Sequence, residues 1–222
     1  MLNFQSQSKI AAMATSTPTL RSDQKKLITQ KKQLRTQLRN KRQQLTRFEQ
    51  HSAAKKLLIQ LNHQTWFNNS QKVALYLAND SELSCAHVIR TLLQNNKQVF
   101  LPVLHPINHR QLLFVRYDQH TPMRFNRFGI KEPRLARSRL LDPSQLDIIF
   151  MPLVGFDKQG HRLGMGGGFY DTSLERVVNC RWLKSPKRIG IAHDCQQASE
   201  LPQEPWDIQL NAIITPSQCI LI

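Results

Sequence analysis

The 222-residue sequence lacks most of the features that mark secreted, membrane-spanning or zinc-binding proteins. Its four cysteines, Cys85, Cys180, Cys195 and Cys219, are scattered without a CxxC pair. This spacing argues against a disulfide framework or a zinc site and favours a reducing compartment, so we expect a cytoplasmic protein. No apolar run approaches the roughly 20 residues that a membrane-spanning helix needs, and we expect no membrane partner.

Acidic residues are absent from the first 22 positions, which are rich in serine and threonine and lack the apolar core of a secretory signal. We expect residues 1–22 to be a disordered tail or the result of a mis-assigned start, with Met13 as the true first residue. A transit peptide is the alternative, supported by only one lysine and one arginine. We expect residues 23–222 to form a single domain that is long enough to bury a core.

Positive charge is abundant and unevenly spread, with a formal net charge of +16. Between Arg21 and Lys72, thirteen lysines and arginines stand against two acids, so this block supplies eleven of the sixteen charges. Such a block indicates an anionic partner or a solvated helix face. RNA is one such partner, but aromatic residues make up only 7% of the chain and do not alternate with the basic residues. No stacking surface for bases is therefore expected.

Helical and strand patterns alternate along the chain. Apolar spacing predicts a basic helix from Ser22 or Asp23 to about Leu45 and a second helix over 49–61. Further along, the pattern predicts helices over 87–96 and 170–182, an irregular connection over 118–144, and strands over 72–78, 98–104, 111–117, 146–156, 188–193 and 212–216. The alternation predicts an α/β fold, a three-layer α/β/α Rossmann-like domain with a mostly parallel sheet and an N-terminal basic helix.

The segment RLGMGGGFYD (Arg162–Asp171) holds four glycines within five residues, and we call residues 164–168 the glycine loop. It follows the strongest predicted strand and precedes a helix, so it is expected at the carboxyl edge of the sheet, where such folds bind ligands. Backbone amides of glycines and a helix N-terminus can surround phosphate oxygens, and Arg162 can add a bidentate contact. The segment matches neither GxGxxG nor a Walker A loop, and a tight strand-to-helix turn is the alternative interpretation.

Asp171 stands at the start of the helix that follows the loop. It could cap that helix, beside a capping box formed by Thr172 and Glu175. It could also hold Mg²⁺ against bound phosphates, because magnesium prefers oxygen ligands and often takes only one or two carboxylates. The residues leave both interpretations open.

Four segments together resemble the 5-formyltetrahydrofolate cyclo-ligase family, also called methenyltetrahydrofolate synthetases. They are KKQLRTQLRNKR (31–42), VALYLANDSEL (73–83), FGIKEP (128–133) and LDIIFMPLVGFDKQGHRLGMGGGFYD (146–171). In order and spacing the resemblance covers roughly Lys25 to Pro216, and the segment ending in the glycine loop is its most specific part. It implies an enzyme of one-carbon folate metabolism that uses ATP and Mg²⁺ to cyclise 5-formyltetrahydrofolate to 5,10-methenyltetrahydrofolate. ADP and phosphate are released after phosphorylation of the formyl oxygen, and we expect a monomer.

The resemblance also implies site residues, with catalytic roles for Lys31 and Arg162. The implied ATP-binding residues are Lys31, Lys32, Gln33, Leu34, Arg35, Arg162, Leu163, Gly164, Met165, Gly166, Gly167, Gly168, Phe169 and Tyr170. The implied binding residues for the reduced formyl-folate, with or without a polyglutamate tail, are Leu77, Glu82, Met165, Gly166, Gly167, Gly168 and Phe169. Asp171 and Asp207 are the implied magnesium ligands.

Two positions depart from the family pattern. Asn211 stands where many members carry a second aspartate, and Phe169 replaces a common tyrosine. The sequence leaves two other function classes open, an RNA-binding protein and an ATP-dependent kinase of another small molecule. The three tryptophans, Trp66, Trp182 and Trp206, are expected to pack in the core or at its edge.

Overall fold

The computed structural model describes residues 18–204 and 206–222, so most of the predicted tail lies outside the described residues. The helices are α1 (Pro18–Gln43), α2 (Arg47–Asn62), α3 (Thr65–Asn68), α4 (Ala86–Gln94) and α5 (Phe169–Asn179). The strands are β1 (Lys72–Ala74), β2 (Gln98–Leu104), β3 (Leu112–Tyr117), β4 (Met123–Phe125), β5 (Lys131–Pro133), β6 (Leu140–Leu141), β7 (Ile148–Pro152), β8 (Gly155–Phe156), β9 (Arg162–Leu163), β10 (Lys187–Ile191), β11 (Ala212–Ile214) and β12 (Cys219–Leu221).

Eight strands form one mixed sheet in the order β12-β11-β10-β7-β1-β2-β3-β6. The five central strands, β11 to β2 in that order, pair in parallel. Antiparallel strands close both edges, with β12 on one side and β3 and β6 on the other. The buried run of β7 is typical of a strand that is covered on both faces. The α/β fold with a mostly parallel sheet is therefore confirmed.

Helices cover both faces of this sheet. On one face, α2, α3 and α4 contribute Leu57, Phe67 and Val88 to a core with the central strands. On the other face, α5 contributes Leu174 to a second core with Phe114 and neighbours. The cap of α2 follows from its sequence, because Thr46 and Glu49 form the reciprocal hydrogen bonds of a capping box.

Several predicted boundaries need correction. The strand predicted over 72–78 ends at Ala74, and the buried residues that follow it lead into a turn. The connection over 118–144 is not irregular throughout, because β4 and β5 form a two-stranded hairpin within it. The edge strand β12 was not predicted, since a short strand that is buried on neither side gives no alternating pattern.

Helix α1 lies across the carboxyl edge of the sheet and packs Leu38 against Val154 and Leu163. Among the described residues, no helix combines the length and the apolar character needed to cross a membrane. Trp182 and Trp206 are 94% and 65% exposed, so the prediction that they pack in the core or at its edge was wrong for these two. Trp66 does pack against the core.

Candidate active site

The candidate site lies where the strand order reverses. Strand β2 pairs with one edge of β1, and the later strand β7 pairs with the opposite edge. The boundary between β1 and β7 is therefore a topological switch point. Ligands of open α/β sheets bind in the crevice beyond the carboxyl ends of the strands at such a point. The turn after β1, the segment after β7 and helix α1 all meet there.

The glycine loop adopts a conformation that depends on its residue type. Gly166 and Gly168 have φ values of +92° and +65°, which side-chain-bearing residues rarely adopt. A Cβ on Gly167 would lie 2.5 Å from the ring of Phe169. Gly168 is also the N-cap of α5, whose first turn closes through the amide of Thr172. The loop is exposed and continuous with a helix N-terminus, so its amides are available to an anion.

Helix α1 contacts this loop directly. The Arg35 Nε donates to the carbonyl oxygen of Gly164 at 2.8 Å, across 129 residues of sequence. The Arg35 guanidinium also lies 3.4 Å from the position that a Cβ on Gly166 would take. Burial lowers the pKa of Arg35 while the negative charge of Asp207 raises it. The basic helix and the glycine loop are therefore parts of one site.

Lys31, one turn before Arg35, is almost completely buried. Its Nζ lies 3.3 Å from Oδ2 of Asp207 and 3.7 Å from Oε1 of Glu204. The same Asp207 oxygen accepts from the Glu204 amide at 2.9 Å. An open cleft of about 450 Å³ borders these carboxylates and is lined by Gln203, Glu204, Asp207 and Gln209. Sequence reasoning missed Glu204, and no motif in the sequence distinguished it from other acids.

Arg162 and Asp171 form the second ion pair of the site. The Arg162 Nη2 donates to Oδ1 of Asp171, which also accepts from the Ile208 amide at 3.1 Å. The Arg162 Nε donates to the Ile208 carbonyl oxygen at 3.3 Å. Asp171 does not cap α5, because the helix begins at Phe169 with Gly168 as its N-cap. It ties the helix to the C-terminal segment instead.

The carboxylate chemistry fits a magnesium ion that is shared with phosphates. Among the described residues, no group of three or more His, Cys, Asp or Glu side chains could hold a metal by itself. Asp171 accepts from the amide of Ile208, the residue that follows Asp207, and in the described part of the chain each of the two carboxylates makes its hydrogen bonds through one oxygen. Magnesium in nucleotide sites commonly takes one or two carboxylates and completes its shell with phosphate oxygens and water.

The turn after β1 carries the predicted folate residues. Leu77 packs against the core at its edge. Glu82 closes the turn, since its carboxylate accepts from the Asn79 amide at 3.0 Å and its amide donates to the Asn79 carbonyl at 2.9 Å. Burial raises the pKa of Glu82, and the Asn79 amide and the charge of Arg42 oppose that rise. The nearby phenol of Tyr170, in the first turn of α5, has a pKa that burial and the charge of Glu82 raise.

Other predicted residues lie farther from the centre of the site. Lys32 and Gln33 are exposed on α1, whereas Leu34 and Leu163 pack together beneath the helix. Met165 is 56% exposed in the glycine loop. The fold thus places Lys31 and Arg35 on the side of α1 that faces the glycine loop, whereas Lys32 and Gln33 face solvent.

Phe169 touches a segment that sequence reasoning did not assign to the site. Its ring packs edge-on against Phe128 at a centroid distance of 6.0 Å, and the Arg127 guanidinium lies 4.9 Å above the Phe128 ring. Phe125 and Phe128 are 69% and 54% exposed between arginines. The expectation that aromatic and basic residues do not alternate therefore fails in this hairpin.

Comparisons with known proteins agree with the motifs. The model of the 5-formyltetrahydrofolate cyclo-ligase family matches residues 27–216. A 5-formyltetrahydrofolate cyclo-ligase of Haemophilus influenzae is 44% identical over 187 residues, which cover 84% of this chain and 98% of that protein. A mouse protein of the same name is 26% identical over 188 residues, covering 83% of this chain and 92% of its own.

Solved structures show the same fold. The NMR structure of a 5,10-methenyltetrahydrofolate synthetase from Aquifex aeolicus matches with a TM-score of 0.73 at 28% identity, covering 86% of this chain and 92% of that one. A 5,10-methenyltetrahydrofolate synthetase from Mycoplasma pneumoniae matches with a TM-score of 0.65 at 27% identity, covering 84% and 98%.

Proposed function

This chain belongs to the 5-formyltetrahydrofolate cyclo-ligase family, and we propose that it uses ATP and Mg²⁺ to convert 5-formyltetrahydrofolate to 5,10-methenyltetrahydrofolate. One observation carries this proposal beyond the family match. Arg35 of the basic helix bonds to Gly164 of the glycine loop, so two elements suited to phosphates form one site at the sheet edge. The folate turn after β1 opens onto the same edge.

The reaction must overcome a poor leaving group. The formamide oxygen attacks the γ-phosphorus of ATP, the bond to the ADP oxygen breaks, and an imidate phosphate forms. The neighbouring folate nitrogen then attacks the activated carbon, gives up its proton, and the carbon–oxygen bond breaks to release phosphate. Such a sequence needs positioning and charge neutralisation rather than a protein nucleophile.

The cations of the site fit the nucleotide side of this reaction. Lys31 and Arg35 share one face of α1 and would bind the phosphates together with the amides of the glycine loop. Arg162 would stabilise charge on the transferred phosphoryl oxygens. Asp171 and Asp207 would hold the magnesium, which would supply further positive charge at the phosphates.

Lys31 and Asp207 form an ion pair. Nucleotide phosphates and magnesium offer each of them a partner of opposite charge. We therefore expect ATP to exchange this ion pair for two separate contacts, with Glu204 remaining beside Lys31 at 3.7 Å or closer. This exchange keeps the buried lysine paired at every stage, which the cost of an unpaired buried charge requires.

Glu82 and the aromatic rings would hold the folate. A carboxylate suits the N–H donors of the pterin ring, and Glu82 is positioned in the turn beside the phenol of Tyr170. Phe169 would offer a ring face from the end of the glycine loop. The loop would thus contact phosphates on one side and the formyl-folate on the other.

The test is an absorbance assay of the purified full chain with ATP, Mg²⁺ and 5-formyltetrahydrofolate. We expect an ATP-dependent rise of the near-ultraviolet band of the methenyl product, and none when ATP or Mg²⁺ is omitted. Folded protein that gives no rise would contradict the proposal. ADP release without methenyl product, with another acceptor present, would favour a small-molecule kinase instead.

A second proposed activity is binding of single-stranded RNA at the β4–β5 hairpin. Between His105 and Arg139, eight lysines and arginines stand against two acids, Asp118 and Glu132. Both acids are already paired with arginines of the same segment. Exposed Phe125 and Phe128 provide ring faces among the remaining cations, an arrangement that suits stacked bases.

Filter binding of an oligoribonucleotide across a salt series tests this second activity. Affinity should fall steeply with salt, and Phe125→Ala should weaken binding at every salt concentration. Phe48→Ala is the matched control, because Phe48 is at least as exposed as Phe125, at 81% against 69%, but lies on α2. If the protein retains no oligoribonucleotide on the filter even at low salt, the RNA-binding proposal is wrong.

A further inference from the structure

Arg42 is a completely buried cation at the end of the basic segment 31–42, and the resemblance implies no role for it. Its side chain is 0% exposed although it lies on the basic helix α1. Nη2 donates to Oδ2 of Asp80 at 2.7 Å, and Nη1 donates to the carbonyl oxygen of Leu153 at 3.3 Å. Leu153 directly follows β7, so one guanidinium joins the helix, the turn after β1 and the end of β7. Burying a charge is expensive unless it is paired in this way.

Asp80 accepts hydrogen bonds from three side chains of α1 that share one face of the helix, at positions 39, 42 and 43. Besides Arg42, it accepts from Arg39 Nε at 2.8 Å and from the side-chain amide of Gln43. Asp80 and its neighbour Ser81 have φ values of +50° and +59°. Side-chain-bearing residues occupy this left-handed region at an energetic cost and persist there only where surrounding contacts impose it. For Asp80, helix α1 supplies those contacts.

The turn that Asp80 anchors is the turn that presents Glu82. Both hydrogen bonds between Asn79 and Glu82 span Asp80 and Ser81, so the Glu82 carboxylate keeps its place only while these two residues keep their conformation. Eleven positions earlier on α1 lies Lys31, at a helical separation from Arg42 of about 16 Å. The helix therefore connects the phosphate-binding end of the site to the folate-binding turn.

We propose that Arg42 is a positioning residue for the folate: by holding Asp80, it fixes the left-handed turn and sets Glu82 at a defined distance from Lys31 and Arg35. This inference rests on the proposed function, because it assigns Glu82 to folate binding. The new element is that Arg42 of α1, the helix proposed to bind the nucleotide, holds the folate-binding turn in place.

The test replaces both members of the buried pair. A single removal would leave an unpaired buried charge and risk unfolding, whereas a neutral replacement of both partners is often tolerated. In the Arg42→Met/Asp80→Asn double variant we expect the folate KM to rise about tenfold or more, since small displacements of positioning groups have effects of that size. The KM for ATP should stay within about twofold, because Arg35, Lys31 and the loop keep their contacts.

Arg42→Lys provides a second measurement that does not depend on folding of the double variant. Lysine keeps the charge but lacks the fork that bonds Asp80 and Leu153 together. We expect a smaller rise of the folate KM, again without a change for ATP. Lys41→Met is the matched control, since it removes one exposed charge of the same helix, and its two KM values should equal those of the wild type.

The outcomes separate this inference from the proposed function. If the wild type forms methenyl product but the folded variants keep the wild-type folate KM, the positioning role is wrong and the proposed function stands. Equal rises of both KM values would also overturn it, because they indicate general loosening. A wild type that forms no product contradicts the proposed function and this inference with it.

Discussion

Two left-handed segments stand at the same sheet edge, and they are built in opposite ways. The glycine loop has positive φ at Gly166 and Gly168 and is exposed, and its one side chain beyond glycine, that of Met165, is 56% exposed. The turn after β1 has positive φ at Asp80 and Ser81 and is held by Arg42 from a buried position. The first conformation follows from residue type, and the second is imposed by tertiary contacts.

This difference separates the proposed tasks of the two segments. A loop of bare backbone can bring its amides close to phosphate oxygens, because no Cβ interferes. A turn held by an ion pair can fix one carboxylate, Glu82, against a single substrate. We therefore expect substitutions near the loop to change turnover and the KM for ATP, and substitutions at the turn to change the KM for the folate.

Asp171→Ala should have the largest effect, on the loop side. It removes a proposed magnesium ligand and the partner of Arg162, so we expect turnover to fall by about three orders of magnitude, in line with the loss of one charge-stabilising group. Steady-state rates at saturating Mg²⁺ measure this. Glu175→Ala removes an exposed carboxylate of the same helix and should leave the rate unchanged. Wild-type-like turnover of Asp171→Ala would contradict its role.

Lys31→Met tests whether ATP binding can be weakened without weakening folate binding. Methionine keeps the apolar stem of a buried side chain but removes the charge that Asp207 and Glu204 share. We expect the KM for ATP to rise about tenfold or more, because a hydrogen bond to a charged group is lost, and the folate KM to change much less. Lys41→Met, which removes an exposed charge of the same helix, is the control. Equal rises of both KM values would contradict the division of tasks between the glycine loop and the turn after β1.

Gly166→Ala and Gly164→Ala compare two positions of the glycine loop. Alanine at Gly166 must adopt a φ near +92° with its Cβ 3.4 Å from Arg35, so we expect the free energy of unfolding to fall by about 1–2 kcal/mol. At Gly164 a Cβ meets nothing within 4 Å, and the change should stay within about 0.5 kcal/mol. Denaturant unfolding measures both variants. Equal losses would show that left-handed backbone does not distinguish the two positions.

Ser81→Gly should have the smallest effect. Glycine relieves the cost of φ near +59° but adds freedom to the unfolded chain, and these terms nearly cancel, within about 0.5 kcal/mol. Ser52→Gly in α2 has no such relief and should lower the free energy of unfolding by about 0.5 kcal/mol. Thermal or denaturant unfolding of the two variants checks this. A loss at Ser81 larger than that at Ser52 would mean that the Ser81 side chain itself holds the turn.

The sequence predicted those parts of the site that follow from residue type and local spacing. Glycines between a strand and a helix predicted the loop, and the four-residue spacing of Lys31 and Arg35 placed both on one helix face. It left open whether Asp171 caps the helix, and the structure excludes that alternative, because the carboxylate accepts from the Ile208 amide, 37 residues away, and the N-cap is Gly168. It missed Arg42, because one arginine among many on a basic helix gives no signal of burial. It also missed Asp80 and Glu204, because their partners lie on α1, far away in the sequence.

The α/β alternation, the glycine loop and the basic stripe of α1 can be predicted from the sequence, since hydrophobic periodicity and glycine content act locally. The hydrogen-bond partners of the buried charges depend on the tertiary structure. Placing β7 beside β1 brings Leu153 and Asp80 to one edge, and α1 then buries Arg42 between them. Local propensities do not encode contacts across 38 and 111 residues, because they depend on strand order, and strand order depends on the whole core.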